Sequence, residues 1–301
     1  MSRPKVCVVG SSNLDMNAHV PRFPQPGETL HGSGFATGYG GKGANQAVMA
    51  ARLGAEVRFI ARVGDDVFGR DMQDNFRREG IDTTHIRSTA GVSSGVAVIT
   101  VDDAGQNTLI VIPGANGSLT PADVEAARDS IASADVLLCQ MEVPLEANLA
   151  AIRIAVESRV PVIFNPAPAP PSLPDEIYRS THVLCLNETE AALLSGTSNE
   201  EASARVFLER GAANVIVTLG SRGCLLVSKS GSEWIPAPAV KVVDKTGAGD
   251  AFVGSLAFEL ASGTELKSAA DRACRNAALT VQKHGTQASY PQAKIFSTTS
   301  P

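Results

Sequence analysis

Short apolar runs alternate with amphipathic segments along most of the chain. Such runs are typical of strands buried on both faces, whereas apolar residues spaced three and four apart are typical of helices. The predicted strands occupy residues 6–10, 57–63, 135–140, 161–165, 183–186, 214–218 and 223–228, with short ones near 233–236 and 240–243. The predicted helices occupy residues 40–53, 67–79, 121–130, 144–158, 188–195, 200–210, 248–261 and 265–282. This alternation predicts a three-layer α/β/α, Rossmann-like domain with a mostly parallel central sheet.

Two segments depart from the alternation. From residue 16 to residue 39 the helical period is lost, and prolines at 21, 24 and 26 divide the segment into extended pieces that exclude a helix or a central strand. Residues 94–101 and 107–112 are β-rich runs around Asp102-Asp103-Ala104-Gly105-Gln106, which is a hairpin signal. We predict one domain over residues 1–301, with insertions at about 14–39 and 92–113 that form a small separate β-sheet lid.

Polar residues follow the predicted strands at their carboxyl ends. They include 10–13, 140–142, Asn165, Asn187 and 218–220. Ligands of open α/β sheets bind at the carboxyl ends of the strands. Polar groups at so many strand ends therefore predict one functional crevice.

The stretch Thr246-Gly247-Ala248-Gly249-Asp250 lies directly before a long apolar segment. The pattern predicts a tight turn that opens a helix, where unpaired N–H groups and the helix dipole favour an anion. Asp250 beside such a turn could take a proton from a substrate hydroxyl while the N–H groups hold the phosphoryl charge. The alternative is an aspartate that caps or begins an ordinary helix. These five residues alone do not decide between the two.

A second glycine-rich stretch, Gly40-Gly41-Lys42-Gly43-Ala44-Asn45-Gln46, opens another predicted helix. Its glycines permit close approach of a ligand, and Asn45 offers the donor and the acceptor that sugar hydroxyls need. It is not a Walker A loop, because the final Gly-Lys-Ser/Thr and the upstream spacing are absent. The alternative is a loop that needs positive φ, with Lys42 in solvent.

Composition narrows the classes of partner. The 301 residues are 44% hydrophobic and 19% charged, with a net charge of −5, which is typical of a globular protein. With no basic cluster, we expect no nucleic-acid partner, and with no long apolar span, no membrane segment. The five cysteines are widely spaced and odd in number, which predicts reduced, buried thiols and a cytoplasmic protein.

The motifs together resemble the ribokinase-like carbohydrate kinase family from residue 6 to residue 291. Two glycine signatures carry the resemblance, 40–47 and 244–252. Between them stand Asn165-Pro166-Ala167-Pro168-Ala169, Asn187-Glu188-Thr189-Glu190-Ala191 and Thr218-Leu219-Gly220-Ser221-Arg222-Gly223. Five motifs in the family's order and spacing are a specific signal.

The resemblance implies transfer of the ATP γ-phosphoryl group to the 5-hydroxyl of D-ribose. It implies that Asp250 is the catalytic base and that Gly247, Ala248 and Gly249 form the anion hole with it. The sugar-binding positions that it implies are Asn13, Asp15, Gly40, Gly41, Lys42, Asn45, Glu142 and Asp250 itself.

The same resemblance implies positions for the nucleotide and the ions. The ATP contacts match Asn187, Thr218, Gly220, Ser221, Gly223, Gly249 and Asn276. Glu190 matches the residue that organises Mg²⁺, through water. The ligands of a monovalent cation, K⁺, match Asp244, Thr246, Thr280, Lys283, Gly285 and Ser289. For Asn187, taken without the family, an ordinary helix N-cap is the favoured alternative.

The family's lid pairs with its copy in a dimer, so the resemblance also implies a homodimer through the β-lid. Two other functions stay open. One is a related kinase acting on 2-deoxyribose, fructose, a nucleoside or a sugar acid; the neutral set Asn13, Asp15 and Glu142 favours a pentose, because an acid calls for Arg or Lys. The other is a non-catalytic sensor, against which the retained Asp250 argues.

Overall fold

The computed structural model describes residues 3–292 and has two sheets. The larger sheet has the order β13-β12-β11-β10-β9-β8-β1-β4-β5 and the smaller one β3-β2-β6-β7. The strands are β1 (Lys5–Val9), β2 (Asn13–Val20), β3 (Gly34–Gly40), β4 (Glu56–Gly64), β5 (Ile86–Thr89), β6 (Gly95–Asp102), β7 (Asn107–Ile112), β8 (Val136–Gln140), β9 (Val162–Asn165), β10 (Val183–Asn187), β11 (Asn214–Thr218), β12 (Cys224–Ser228) and β13 (Gly231–Ile235).

Helices cover both faces of the larger sheet. They are α1 (Lys42–Leu53), α2 (Val67–Arg78), α3 (Pro121–Glu125), α4 (Arg128–Ala132), α5 (Leu145–Glu157), α6 (Asp175–Ser180), α7 (Glu188–Ser195), α8 (Glu200–Glu209), α9 (Ala248–Ala261) and α10 (Leu266–Thr280). Within residues 3–292, none of these helices combines the length and the apolar character that crossing a membrane requires.

The alternation of side chains along β1 shows how the layers form. Val6 and Val8 join a core with α1, α2, α9 and α10, while Cys7 and Val9 join a second core with α3–α6 and α8. Successive side chains of a strand point to opposite faces, so each fully buried strand serves both cores. The strands from β11 to β5 pair in parallel, and β12 and β13 pair antiparallel at one edge. The predicted fold class is confirmed.

The smaller sheet is built from the two segments that depart from the alternation. Strand β2 pairs antiparallel with β3 and parallel with β6, and β6 forms the predicted hairpin with β7. The exclusion of a central strand from residues 16–39 was too strict. Strand β2 is an inner strand of this sheet and ends at Val20, so Pro21 falls just after it.

Four details differ from the sequence prediction. Strand β5 and helix α6 were not predicted. The single helix predicted at 121–130 is two helices, because the backbone at Ala127 (φ −106°, ψ 12°) leaves the helical region. No strand forms at 240–243 in the described chain. Instead the N–H groups of Val243 and Asp244 both donate to the carbonyl of Val281. These outcomes depend on partners distant in sequence, which local pattern does not report.

One close approach fixes the start of α1 on the end of β1. A Cβ built on Gly43 would lie 2.6 Å from the nitrogen of Ser11 and 2.7 Å from the Cα of Gly10. The N–H of Ala44 donates to the carbonyl of Ser11 at 2.8 Å. The first turn of α1 is therefore held against the carboxyl end of the central strand.

We expect Gly43→Ala to lower the free energy of unfolding by about 1–3 kcal/mol, because the added methyl meets backbone atoms that cannot turn aside. Urea denaturation followed by circular dichroism measures the change. The matched control is Gly117→Ala, whose Cβ would meet its nearest atom, Cβ of Pro113, at 3.9 Å. That control should stay within about 0.5 kcal/mol of the wild type. Equal stability of the two variants would contradict the claim that the close contact of Gly43 with β1 leaves no space for a side chain.

Candidate active site

Two helix starts meet at the carboxyl edge of the larger sheet. Asp250, in the first turn of α9, is only 8% exposed. Its Oδ2 accepts a hydrogen bond from Nδ2 of Asn45, and its Oδ1 accepts one from Nε2 of Gln46, each at 2.9 Å. The predicted base and one predicted sugar ligand are thus in direct contact, although 205 residues separate them.

The turn before α9 is open towards the crevice. Gly247 has φ 75°, and a Cβ there would overlap Thr286. Its carbonyl accepts a hydrogen bond from the hydroxyl of Tyr290 at 3.0 Å. Glycine has no side chain to cap the first N–H groups of the helix, and Gly249 lines both cavities described below. This arrangement suits an anion at the helix start.

The predicted sugar ligands converge at one end of this crevice. Oε2 of Glu142 accepts from Oγ of Ser11 at 2.5 Å and from the backbone N–H of Lys42 at 2.9 Å. Oδ1 of Asn13 accepts from Nδ2 of Asn116 at 2.7 Å. These bonds orient a carboxylate and an amide beside the start of α1.

Asp15 completes that end of the crevice. Its carboxylate covers Gly40, since a Cβ on that glycine would overlap both carboxylate oxygens. Burial, together with the negative charges of Glu142 and Asp250, raises the pKa of Asp15 to about 7. Asp15 is therefore close enough to Glu142 and Asp250 for their charges to act on its carboxyl group.

Lys42 supplies positive charge among these acids. The charge of Asp250 raises the pKa of Lys42 against the opposing effect of burial, and the charges of Glu142 and Glu190 add to the increase. Its side chain lines a cavity of about 220 Å³ together with Asp250 and Glu190. The alternative of a solvated lysine is therefore not what the structure shows.

The same cavity contains the polar ends of three strands, β9, β10 and β11. Asn187, Thr218 and Asn165 contribute to its lining. Asn187 is also the N-cap of α7, where its Oδ1 accepts from the N–H of Glu190 and a carboxylate oxygen of Glu190 accepts from the N–H of Asn187. Burial raises the pKa of Glu190. Asn187 is therefore a helix N-cap, as the alternative interpretation predicted. The same pair of hydrogen bonds holds Glu190 where it lines the cavity.

A larger, mainly apolar cleft of about 520 Å³ adjoins this cavity. Thr218 and Gly249 line both spaces, so the two are direct neighbours. The other predicted nucleotide positions on its wall are Gly220, Ser221 and Gly223. Asn276 is the exception, because its amide is buried and donates to the hydroxyl of Ser255.

The predicted cation ligands come from two segments that meet behind the glycine turn. Asp244 accepts from the N–H and the hydroxyl of Thr246 at 2.9 and 2.7 Å and from the N–H of Gly285 at 2.9 Å. Burial opposes ionisation of Asp244, but these hydrogen bonds outweigh it and lower its pKa. The remaining positions lie in the second segment: Thr280, whose carbonyl accepts from the N–H of Lys283, and Ser289, which is 2% exposed.

The donors available there are oxygens with one carboxylate among them, which fits a large cation of low charge. In residues 3–292 no group of three or more His, Cys, Asp or Glu side chains forms a cluster for a metal ion. For Mg²⁺, Glu190 contributes a carboxylate to the cavity beside Asp250 and Lys42. One carboxylate fits an ion that keeps most of its waters and is otherwise held by phosphates.

Sequence reasoning missed several polar residues of the site. Ser11 and Asn116 orient Glu142 and Asn13, and Gln287 donates to Oδ1 of Asn45 at 3.0 Å. Ser11 lies in the polar stretch 10–13 already predicted to line the crevice, although without a role of its own. Asn116 and Gln287 lie outside every motif, and only the folded chain brings them to the site.

Comparison with known proteins agrees with the geometry. The model of the pfkB family carbohydrate kinases matches residues 3–293. The ribokinase of Mus musculus is 42% identical over an alignment of 298 residues that covers 96% of this chain and 92% of that protein. The ribokinase of Staphylococcus aureus (strain COL) is 42% identical over an alignment of 294 residues that covers 95% of this chain and 96% of that protein.

A solved structure has the same architecture. The ribokinase of Arabidopsis thaliana, solved in complex with ribose and ATP, aligns with a TM-score of 0.90 at 31% identity and covers 97% of each chain. The resemblance inferred from the five motifs is confirmed. This chain belongs to the pfkB family of carbohydrate kinases.

Proposed function

We propose that this protein transfers the γ-phosphoryl group of ATP to the 5-hydroxyl of D-ribose, which yields D-ribose 5-phosphate and ADP. The observation that carries the proposal is the position of Asp250. Its buried carboxylate lies at a helix start, in contact with Asn45 on one side and lining the 220 Å³ cavity on the other. A base at that junction can reach a hydroxyl between a sugar site and a phosphate site.

Ribose is held, in this proposal, by the polar groups at the sugar end. Carboxylates of Asp15 and Glu142 accept hydrogen bonds from vicinal hydroxyls, while the amides of Asn13 and Asn45 donate and accept. Gly40 and Gly41 add no side chain and so leave space for the sugar ring.

In the reaction, Asp250 accepts the proton of the 5-hydroxyl as that oxygen bonds to the γ-phosphorus. The bond from the γ-phosphorus to the bridging oxygen breaks, and ADP leaves with the electron pair. The backbone N–H groups of Gly247–Asp250 and the ammonium of Lys42 stabilise the charge on the transferred group. Phosphoryl transfer depends mainly on positioning and charge stabilisation, so no covalent intermediate is needed.

The nucleotide occupies the adjoining cleft, with its adenine against the apolar wall and its phosphates towards Asn187 and the 218–223 turn. Asn276, which hydrogen-bonds to Ser255, has no direct contact in this arrangement and supports the wall from behind. Glu190 would hold Mg²⁺ through water, and the bound ion would neutralise phosphate charge.

A monovalent cation, K⁺, is proposed at the oxygens of Asp244, Thr246, Thr280, Lys283, Gly285 and Ser289. Support comes from the two meeting segments and from the contact of Tyr290 with the carbonyl of Gly247. Bound there, the cation would supply positive charge behind the glycine turn.

We further propose a cytoplasmic homodimer. The five cysteines are buried free thiols, as suits a reducing compartment. The smaller sheet exposes apolar side chains, including Phe35 at 67%, Leu109 at 55% and Ile110 at 64%. An exposed apolar sheet is an aggregation liability unless a second copy covers it.

A panel of sugars tests the substrate. We expect D-ribose to give the highest kcat/KM in a coupled assay of ADP formation, and K⁺ to raise the rate over Na⁺. 2-Deoxyribose should be slower by about tenfold or more, since a buried hydrogen-bonding group loses its partner. Faster turnover of fructose or a nucleoside would favour the related-kinase alternative, and ribose binding without turnover of any sugar would favour a sensor.

Asp250→Asn tests the base. The variant should lose turnover by a factor of ~10²–10⁴, because proton removal from the hydroxyl has no acceptor. Calorimetry should still detect ribose binding, with weaker affinity, because the NH₂ group of the new amide faces that of Asn45 or Gln46. Near-normal turnover would mean that another group removes the proton.

Ribose affinity should depend on pH through Asp15. Its pKa is raised to about 7, so the carboxylate form gains as pH rises through that value. If the carboxylate is the form that binds ribose, the apparent Kd should fall about tenfold between pH 6 and pH 8. Calorimetry across this range measures the change, with Asp15→Asn as the control. An equally steep profile in that variant would assign the effect to another group.

A further inference from the structure

Two directional chains of buried amides end on Asp250, one on each carboxylate oxygen. We propose that Gln46 and Gln287 act through these chains as positioning residues that fix the plane of the carboxylate and hold it as a proton acceptor. The inference rests on the role of Asp250 proposed above.

The first chain approaches Oδ1. Nε2 of Gln140 donates to Oε1 of Gln46 at 2.8 Å. Nε2 of Gln46 then donates both to Oδ1 of Asp250 at 2.9 Å and to Oδ1 of Asn165 at 3.1 Å. Gln46 and Gln140 are fully buried, at 0% exposure. Water therefore does not compete for these bonds, which makes them stronger than surface ones.

The second chain approaches Oδ2. Nδ2 of Asn75 donates to Oε1 of Gln287 at 3.1 Å, and Nε2 of Gln287 donates to Oδ1 of Asn45 at 3.0 Å. Nδ2 of Asn45 completes the chain on Asp250. All three amides are buried, with exposures between 4% and 6%. Helix α2 and the segment after α10 thus act on the base through Asn45.

The charge of Asp250 sets the direction of both chains. An ionised carboxylate only accepts, so Asn45 and Gln46 must present their NH₂ groups to it. Each then presents a carbonyl to the next residue, which must in turn present its own NH₂ group. An amide turned the wrong way would place two oxygens or two NH₂ groups face to face.

An independent sign of this direction lies at the far end of the first chain. Oε1 of Gln140 and Oδ1 of Asn148 are buried and have no hydrogen-bond partner in the part of the chain that the structure describes. Asn148 donates to the backbone carbonyl of Gln140 at 2.6 Å. A buried acceptor without a partner is costly. Here the unpartnered acceptors belong to Gln140 and Asn148, which do not contact Asp250. Both oxygens of Asp250 keep their hydrogen bonds.

Two donors on one carboxylate have two effects. They satisfy both of its oxygens, and rotation about its last bond would break both hydrogen bonds at once. Since Asn45 is also a proposed sugar ligand, the second chain links the orientation of the base to that of the sugar.

The test uses Gln46→Leu and Gln287→Leu. We expect Gln46→Leu to lower kcat by about tenfold to a hundredfold and to retain ribose affinity. This is the size of effect expected when one hydrogen bond to a charged group, here the carboxylate of Asp250, is lost. Relative to the wild type, the acid limb of its pH–kcat profile should move to higher pH. The reason is that the variant has lost one of the two hydrogen bonds donated to the ionised carboxylate. Gln287→Leu should show a smaller shift together with weaker ribose binding, since it acts through Asn45.

The matched control is Asn148→Leu, which removes a buried amide three hydrogen bonds from Asp250, bonded to the backbone carbonyl of Gln140. It should change stability, measured by thermal unfolding, without moving the pH profile. The other titratable groups that act electrostatically on Asp250 are unchanged in every variant: Lys42, Asp15, Glu190 and Tyr290.

Should Gln46→Leu fail to fold, Gln46→Glu keeps the shape and places a second carboxyl against Asp250. It should move the acid limb upwards by more than one pH unit, because two adjacent carboxyls share one proton. If the pH–kcat profiles of the Gln46 variants coincide with that of the wild type, the positioning inference is overturned, while the proposed function stands. Absence of ribose phosphorylation by the wild type in the same assay would instead overturn the proposed function.

Discussion

The need to hydrogen-bond one buried carboxylate organises this molecule. A charge as buried as that of Asp250 is costly unless the protein supplies donors for it. Asn45 and Gln46 supply them, and both belong to the first turns of α1. The starts of α1 and α9 must therefore meet at one point of the sheet edge. The close contact of Gly43 with β1 makes this meeting possible, because it seats α1 directly on the central strand.

The electrostatic pattern around this point separates two binding regions. Asp15 and Glu142 lie on the side proposed for the sugar, and Glu190 lies on the side proposed for the phosphates. Lys42 interacts with acids of both sides, which partly balances a field that would otherwise repel an anionic nucleotide. The net charge of −5 is thus compatible with ATP as a substrate, because local donors decide the potential where the phosphates bind.

The last described segment of the chain contacts residues of the proposed active site. Gln287 bonds to Asn45, and Tyr290 bonds to the carbonyl of Gly247. Arg52 fastens this segment, since it donates to the carbonyls of Gln287 and Tyr290 at 2.5 and 3.0 Å while it pairs with Glu79. The glycine turn, the proposed cation ligands and the base therefore share one support. The proposed effect of K⁺ on turnover is consistent with this shared support.

The sequence by itself determined the alternating α/β architecture, the small second sheet and the two glycine-rich helix starts, because periodicity and glycine act over a few neighbouring residues. It also identified the family, through motifs whose order and spacing are specific. Only the tertiary structure decided that residues 240–243 form no strand, that Asn276 turns towards Ser255, and that Gln287 bonds to Asn45. Each of these depends on a partner far away in the chain. Hydrogen bonds between such residues leave no local pattern, since any buried amide can serve once the fold has brought it into reach.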